Sequence, residues 1–277
     1  LTRHIDKEVE IRRKILFFLE QLNDEGILKG DPAQILQSLK VTDKFSSFRN
    51  CEVVIESIVE KTDEKKKVFT ELENVLSPKA IIGSNTSAIP VTILQNGLQH
   101  PQRLLGIHWG EPAHILKFLE VICGDQTDIK NAEKIVALAE MWGKEPSLVR
   151  RDIRGFITNR LMYALIREGM SLVENGYATV EDIDRACRND MGYWITFAGP
   201  FRFMDLTDIP SYLNVMRELF PELDNSAQAP EFIEQLVAKG AKGVSNAHGF
   251  YPYTKESAEK WEKLFVKFSY DIRKLSE

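Results

Sequence analysis

The sequence predicts an α/β chain: an open, doubly wound sheet over residues 1–150, followed by an all-α domain over 151–277. Three observations carry this. Short apolar, β-branched runs alternate with segments of helical period up to residue 149, the pattern of βα units. From Asp152 onward the helical period continues with no convincing strand. A length of 277 residues suits two domains of ordinary size, and 43% hydrophobic residues suffice for a buried core.

In order, residues 6–22 place Ile11, Ile15, Phe18, Leu19 and Leu22 on one helical stripe. Gly26 and Gly30-Asp31-Pro32 break it, and Asp31 can cap a short helix that opens on Pro32. Leu39-Lys40-Val41-Thr42 reads as a short strand, and 51–59 (CEVVIESIV) as a buried parallel strand. Residues 61–76 return to helical period, with Val68, Leu72 and Val75 on one face. Strands are expected over 80–85, 104–108, 117–122 and 146–149, with helices over 90–98 and 131–142. Beyond the boundary, 155–175 is one long helix, and Thr179-x-x-Asp182 caps the next.

Composition narrows the function classes. The net charge of −5, and the lack of a Lys/Arg run flanked by aromatics, make nucleic acid an unexpected partner. No apolar run approaches the length of a membrane span. Cys51, Cys123 and Cys187 form neither a disulfide framework nor a zinc pattern, which suits a reducing cytoplasm and predicts no metal site.

In a doubly wound sheet, ligands bind beyond the carboxyl ends of the strands. The residues there are 56–60, Asn85-Thr86-Ser87, 108–111 and the surroundings of Glu120. His108 closes a strand and can shuttle a proton near neutral pH. Glu120 follows 12 residues later inside an apolar strand, where a carboxylate needs a partner. Two strands joined by a loop would set the two side by side, as a catalytic dyad or a structural ion pair. Ser87 can bind a substrate oxygen, whereas Thr86 is expected to cap the helix at Pro90. Asn159 is expected in the second turn of the long helix, either reaching the strand tips or solvated. Glu60 and Lys65, at a helix start, read as solvated charges. Trp194 to Arg202 reads as core and turn.

In chain order, several segments together resemble the 3-hydroxyacyl-CoA dehydrogenase family. They are Val53-Val54-Ile55-Glu56-Ser57-Ile58-Val59-Glu60, Gly83-Ser84-Asn85-Thr86-Ser87, Gly106-Ile107-His108-Trp109-x-x-Pro112, Leu119-Glu120-Val121-Ile122, Asp152-x-x-Gly155-Phe156-Ile157-x-Asn159-Arg160, Gly199-Pro200-Phe201-x-x-x-Asp205 and Gly249-Phe250-Tyr251. The resemblance implies a Rossmann-type domain and a helical domain that also makes a homodimer. It implies hydride transfer from an L-3-hydroxyacyl group to a nicotinamide cofactor, NAD with NADP as the alternative, in fatty acid metabolism. It makes His108 the base, Glu120 its orienting carboxylate, and Ser87 and Asn159 hydrogen-bonding partners of the substrate's oxygens. Ser57, Glu60, Lys65, Asn85, Ser87 and Glu111 match cofactor-contacting positions. The long helix is expected to carry Asn159 to a site in the cleft between the domains.

The departures from the family pattern are specific. The chain has no Gly-x-Gly-x-x-Gly, and its first helix matches the family's helix after the second strand. The first strand, the phosphate loop and the following helix are therefore expected upstream of Leu1, together with the acidic residue that reads the ribose. Glu111 stands where the family usually has Asn, and Ser245 where a basic residue is usual. A tail with Trp261, Leu264, Phe265 and Phe268 follows Tyr253, as in relatives that oxidise free hydroxy acids such as gulonate or carnitine. The expected substrate is a 3-hydroxyacyl-CoA, because Glu111 would repel a free carboxylate unless Arg160 or Arg202 offset it. The rivals are a free-acid dehydrogenase and a non-catalytic, crystallin-like binding protein.

Overall fold

The computed structural model describes residue 2 and residues 5–275. The chain divides into two units: residues up to Thr158 together with Ser269–Leu275, and Asn159–Phe268. The division falls at Thr158 rather than near 150 because the turn after the last strand belongs to the first unit. There Asp152 accepts from both the N–H (2.6 Å) and the hydroxyl (2.9 Å) of Thr92, and Phe156 is buried.

The first unit opens with α1 (Glu8–Asp24) and α2 (Pro32–Gln37). Asp31 caps α2 as expected, accepting from the Gln34 N–H at 2.8 Å. Then come β1 (Val53–Glu56), α3 (Thr62–Val75), β2 (Ile81–Ser84), α4 (Val91–Gln95), β3 (Leu104–Trp109), β4 (Phe118–Ile122), α5 (Ile129–Met141) and β5 (Glu145–Val149). The five strands lie in chain order. β1, β2 and β3 run parallel, β4 is antiparallel to β3, and β5 is parallel to β4. The antiparallel step brings β4 back past the carboxyl end of β3, pairing Trp109 with Leu119 and His108 with Glu120.

Successive strand residues face opposite ways, so each strand feeds two cores. Val54, Ile82, Leu104 and Ile122 pack with Phe69 and Leu72 of α3 and Val91 and Leu94 of α4. Ile81, Leu105, Ile107, Leu119 and Val121 pack on the other face with Ala132, Ile135 and Ala139 of α5. Burying one such aliphatic side chain contributes roughly 1.5–3 kcal/mol, which is why these near-continuous apolar runs end up as central strands.

Two expected elements of this unit differ. Leu39-Lys40-Val41-Thr42 forms no strand. A strand needs a ladder, and among the described residues β1 is the edge of the sheet; the Thr42 carbonyl accepts from the Thr2 N–H, at 2.9 Å. The helix expected from Gly155 starts at Thr158, as α6 (Thr158–Glu174). Gly155 has φ +82° and Phe156 φ +50°, so both are left-handed and outside a helix. For Phe156 that conformation is costly, and a side chain only 1% exposed holds it in place.

The second unit is all helical: most of α6, then α7 (Val180–Ala186), α8 (Gly192–Phe197), α9 (Gly199–Leu206), α10 (Ile209–Leu219), α11 (Glu231–Ala238) and most of α12 (Lys255–Leu275). Thr179 caps α7, accepting from the Asp182 N–H at 3.2 Å. Residues 194–202 are not core. Trp194 stacks on Phe203 with centroids 5.0 Å apart, but Phe197 and Phe201 are about four-fifths exposed in the single chain. Phe197 closes α8 and Phe201 lies in α9, on either side of the break at Gly199 (φ +72°).

Candidate active site

The site is built where β3 and β4 pair. His108 and Glu120 are register partners, and the Nδ1 of His108 lies 2.9 Å from Oε2 of Glu120. A carboxylate accepts, so Nδ1 carries the proton and Nε2 carries the ring's lone pair. The ring is fixed from two further sides. Phe118 meets it edge-on at 5.6 Å, and Phe156 lies 5.7 Å away.

The second oxygen of Glu120 reaches the start of α6. Oε1 accepts from the N–H groups of Ile157 and Thr158, both at 3.0 Å, and from the Thr158 hydroxyl at 3.4 Å. The first amides of a helix have no intrahelical acceptor, and the helix dipole favours an anion there. The left-handed turn at Gly155 and Phe156 delivers those amides to Glu120. Burial alone would push the Glu120 carboxyl up, but the bonds from His108, Thr158 and Ile157 outweigh it and hold it below the ordinary value. The result is an imidazole of one tautomer and one orientation, backed by a permanent negative charge. That is the arrangement of a general base.

A second cluster lies at the carboxyl ends of β1 and β2. Glu60 accepts through Oε1 from the Thr86 hydroxyl (2.5 Å) and the N–H groups of Ser87 (3.0 Å) and Ala88 (3.2 Å). Thr86 does not cap α4; its hydroxyl accepts from Ile89, one residue before the helix's own cap position, Pro90. Lys65 is not solvated either. It is fully buried, with Nζ 2.8 Å from Glu56 and 3.3 Å from Glu60. Glu56 also accepts from the Ser84 hydroxyl (2.7 Å) and the Ile58 N–H (2.5 Å). Sequence reasoning placed Glu56 at a strand end but gave neither it nor Ser84 a role. A carboxylate and a hydroxyl inside apolar strands were the signal, read correctly at Glu120 but not at these two positions.

The remaining sequence-selected residues are placed as follows. Asn85 accepts from the Trp109 N–H at 3.1 Å, tying the end of β2 to the end of β3 and leaving its amide N–H groups as donors. Ser87, Ser57 and Glu111 are exposed. Asn159 is the second residue of α6, in its first turn rather than its second, and belongs to the second unit. Beside β1 lies a groove of about 970 Å³ lined by Phe45, Phe48, Val53, Ile55, Ser57 and Lys67 among others. Of the residues predicted to contact a cofactor, Ser57 is the one that lines it.

Glu60 and Glu120 make the site acid-sensitive. For Glu60, burial raises the carboxyl, and the bonds from Thr86, Ala88 and Ser87 together with the Lys65 charge lower it further, leaving it below the usual 4.5. Both folded-state values are depressed, so the unfolded chain binds protons more readily. Their stabilisation is full above the ordinary glutamate range and disappears as pH falls through the lower folded values. We expect the wild-type Tm, measured by calorimetry, to drop more steeply between about pH 5 and pH 3 than that of Glu60→Gln. Parallel curves would contradict this assignment.

Two family models match the chain in succession: "3-hydroxyacyl-CoA dehydrogenase, NAD binding domain" over residues 5–153 and "3-hydroxyacyl-CoA dehydrogenase, C-terminal domain" over 155–253. The chain is 30% identical over 229 residues to the 5-formyl-3-hydroxy-2-methylpyridine 4-carboxylate 5-dehydrogenase of Mesorhizobium japonicum, covering 82% of this chain and 74% of that one. It is also 30% identical to a probable 3-hydroxybutyryl-CoA dehydrogenase of Deinococcus radiodurans, with 85% and 84% covered. Among solved structures, a 5-formyl-3-hydroxy-2-methylpyridine 4-carboxylic acid 5-dehydrogenase described as an NAD+ dependent dismutase superposes with TM-score 0.88 at 28% identity, covering 96% of this chain and 86% of that one. The (S)-3-hydroxybutyryl-CoA dehydrogenase of Ralstonia eutropha gives 0.68 at 27%, with 85% and 83% covered. The chain belongs to the 3-hydroxyacyl-CoA dehydrogenase family, a family of NAD-dependent oxidoreductases.

Proposed function

We propose that this protein oxidises the 3-hydroxyl of a 3-hydroxyacyl-CoA. The observation that carries the reading is the buried His108–Glu120 pair, with Nδ1 committed to the carboxylate and Nε2 available as a base. Nε2 accepts the hydroxyl proton of the substrate. Glu120 keeps the ring oriented and balances the charge the ring acquires. Ser87 and Asn159 hydrogen-bond the substrate's oxygens, roles assigned on the family pattern.

NAD, when bound, supplies the hydride acceptor. The residues present suit its reactive end. Val59, 56% exposed beside the exposed Ser57, offers an apolar surface for a flat ring, and the amide of Asn85 and the hydroxyl of Ser87 match a carboxamide. The given sequence carries no glycine-rich loop of the kind that cradles a diphosphate. In the same reading Glu60 and Lys65 act on the cofactor side and Glu111 near the reacting end.

No described helix is long and apolar enough to cross a membrane. We place the enzyme in the cytoplasm, in fatty acid metabolism, as a homodimer. Support for the dimer comes from Phe197, Phe201, Leu206, Ile209 and Leu213, exposed apolar side chains on consecutive helices of the second unit. A second reading, a dehydrogenase of a free acid, is favoured by the 0.88 superposition on the pyridine-carboxylate enzyme. Steady-state kinetics of the full-length protein decide between the two readings. 3-Hydroxybutyryl-CoA should exceed free 3-hydroxybutyrate, L-gulonate, L-carnitine and 5-formyl-3-hydroxy-2-methylpyridine 4-carboxylate in kcat/KM. A preference of about a hundredfold for any free acid, about 2.7 kcal/mol of transition-state binding, reverses the substrate assignment but not the reaction.

A further inference from the structure

The loop that joins the two strands of the dyad, residues 110–117, has carbonyls with no ladder to bond them. Three of these carbonyls are held by cations from distant parts of the chain. Lys144, between α5 and β5, donates Nζ to Ala113 O and Leu116 O, both at 2.5 Å. Arg273, in the last turn of α12, donates Nη1 to Ile115 O at 2.6 Å. Hydrogen bonds with one ionised partner are about twice as strong as neutral ones, and three on four consecutive residues leave this segment little freedom.

Both ends of the loop touch the dyad. At its start, Lys144 Nζ lies 5.3 Å over the ring of Trp109, the residue after His108, and Trp109 stacks on Trp142. At its close, Leu116 and Phe118 lie against Gly110. A Cβ on Gly110 would stand 2.9 Å from Phe118 Cδ1 and 3.1 Å from Leu116 Cδ1, so only glycine permits the approach. Phe118 then meets the His108 ring edge-on.

The cations are themselves anchored. Lys144 is 8% exposed, and burial pushes its ammonium down to about 8, with the Arg273 charge adding to the effect. The end of α12 belongs to the first unit: Ser269 and Tyr270 are buried, and Lys274 pairs with Glu25 at 2.5 Å. Residues 254–275 lie beyond both matched family models, so this contact is not part of what the family description covers.

We propose that the C-terminal end of α12 is a positioning element for catalysis: Arg273, acting with Lys144 on the 110–117 loop, sets Phe118 and thereby the orientation of the His108 imidazole. The proposal rests on His108 being the base. A displacement of about 1 Å in such a supporting element can cost up to a hundredfold in rate.

The test combines hydrogen exchange with kinetics on the full-length protein. In Arg273→Met, amide exchange in peptides covering 110–117 should rise about tenfold or more, with β1 and β2 peptides unchanged. kcat should fall about ten- to a hundredfold, and KM for NAD should stay within about twofold. Arg273→Lys, which keeps a cationic donor, should restore most of both. Unchanged loop exchange, a rise spread evenly over β1 and β2, or an unchanged kcat would overturn the proposal. Should the wild-type enzyme oxidise none of the tested substrates, the functional reading fails by itself, and the exchange data still decide whether Arg273 holds the loop.

Discussion

His108→Gln lowers kcat by roughly 10²–10⁴-fold, the usual worth of a general base, while the Kd for NAD stays nearly unchanged. Glutamine is close to histidine in reach and can still bond Glu120, so the pairing of β3 with β4 survives. What is lost is a lone pair able to take a full proton. Glu120→Gln gives the complementary loss. The neutral amide no longer balances a charged imidazole, and its NH2 group competes with the N–H groups of Ile157 and Thr158 for the same space. Stopped-flow measurement of NADH formation separates the chemical step from product release. A wild-type rate in His108→Gln would remove the imidazole from the mechanism altogether. Circular dichroism and Tm on the same samples show whether the fold has been kept.

The dyad was legible because its signal is local: a carboxylate inside an apolar strand demands a partner, and a 12-residue separation supplies one across a loop. The register of β3 on β4 met that expectation. The helix caps at Asp31 and Thr179 were legible for the same reason, since a cap is decided within four residues. Lys65 was not, because nothing near it in sequence says that its four-carbon stem will lie fully buried between two glutamates, one of them nine residues back. Leu39–Thr42 has the composition of a strand, but a strand is completed only by a neighbour. The left-handed Phe156 was read as helix because its apolar side chain fits the helical period. Its backbone follows the demand of Glu120 for two amides. The segment Trp194 to Arg202 was read as core and turn, although Phe197 and Phe201 are exposed; hydrophobicity shows that a surface must be covered but not what covers it.

Lys65→Met destabilises the protein by about 3–5 kcal/mol, the cost of removing one partner from a buried ion pair. The side chains of Lys65 and Glu56 are 0% and 1% exposed, so no water replaces the ammonium. Methionine fills the space but leaves Glu56 with the Ser84 hydroxyl and the Ile58 N–H as its remaining partners. A carboxylate so placed must either bear its charge unpaired or take up a proton, and each costs stability at neutral pH. The damage also reaches the substrate side. Lys65 contacts Glu60, whose oxygen gathers Thr86, Ser87 and Ala88. The same mutation should therefore raise KM through Ser87 even where the protein remains folded. Urea unfolding of wild type, Lys65→Met, Glu56→Gln and the double variant closes a thermodynamic cycle. The double variant, which leaves no charge at position 56, should recover much of the loss, giving a coupling energy in the range of about 0.5–3 kcal/mol seen for contacting residues. Additive losses would mean that Lys65 and Glu56 act independently, and that what holds Lys65 in place is the packing of its stem rather than the glutamate.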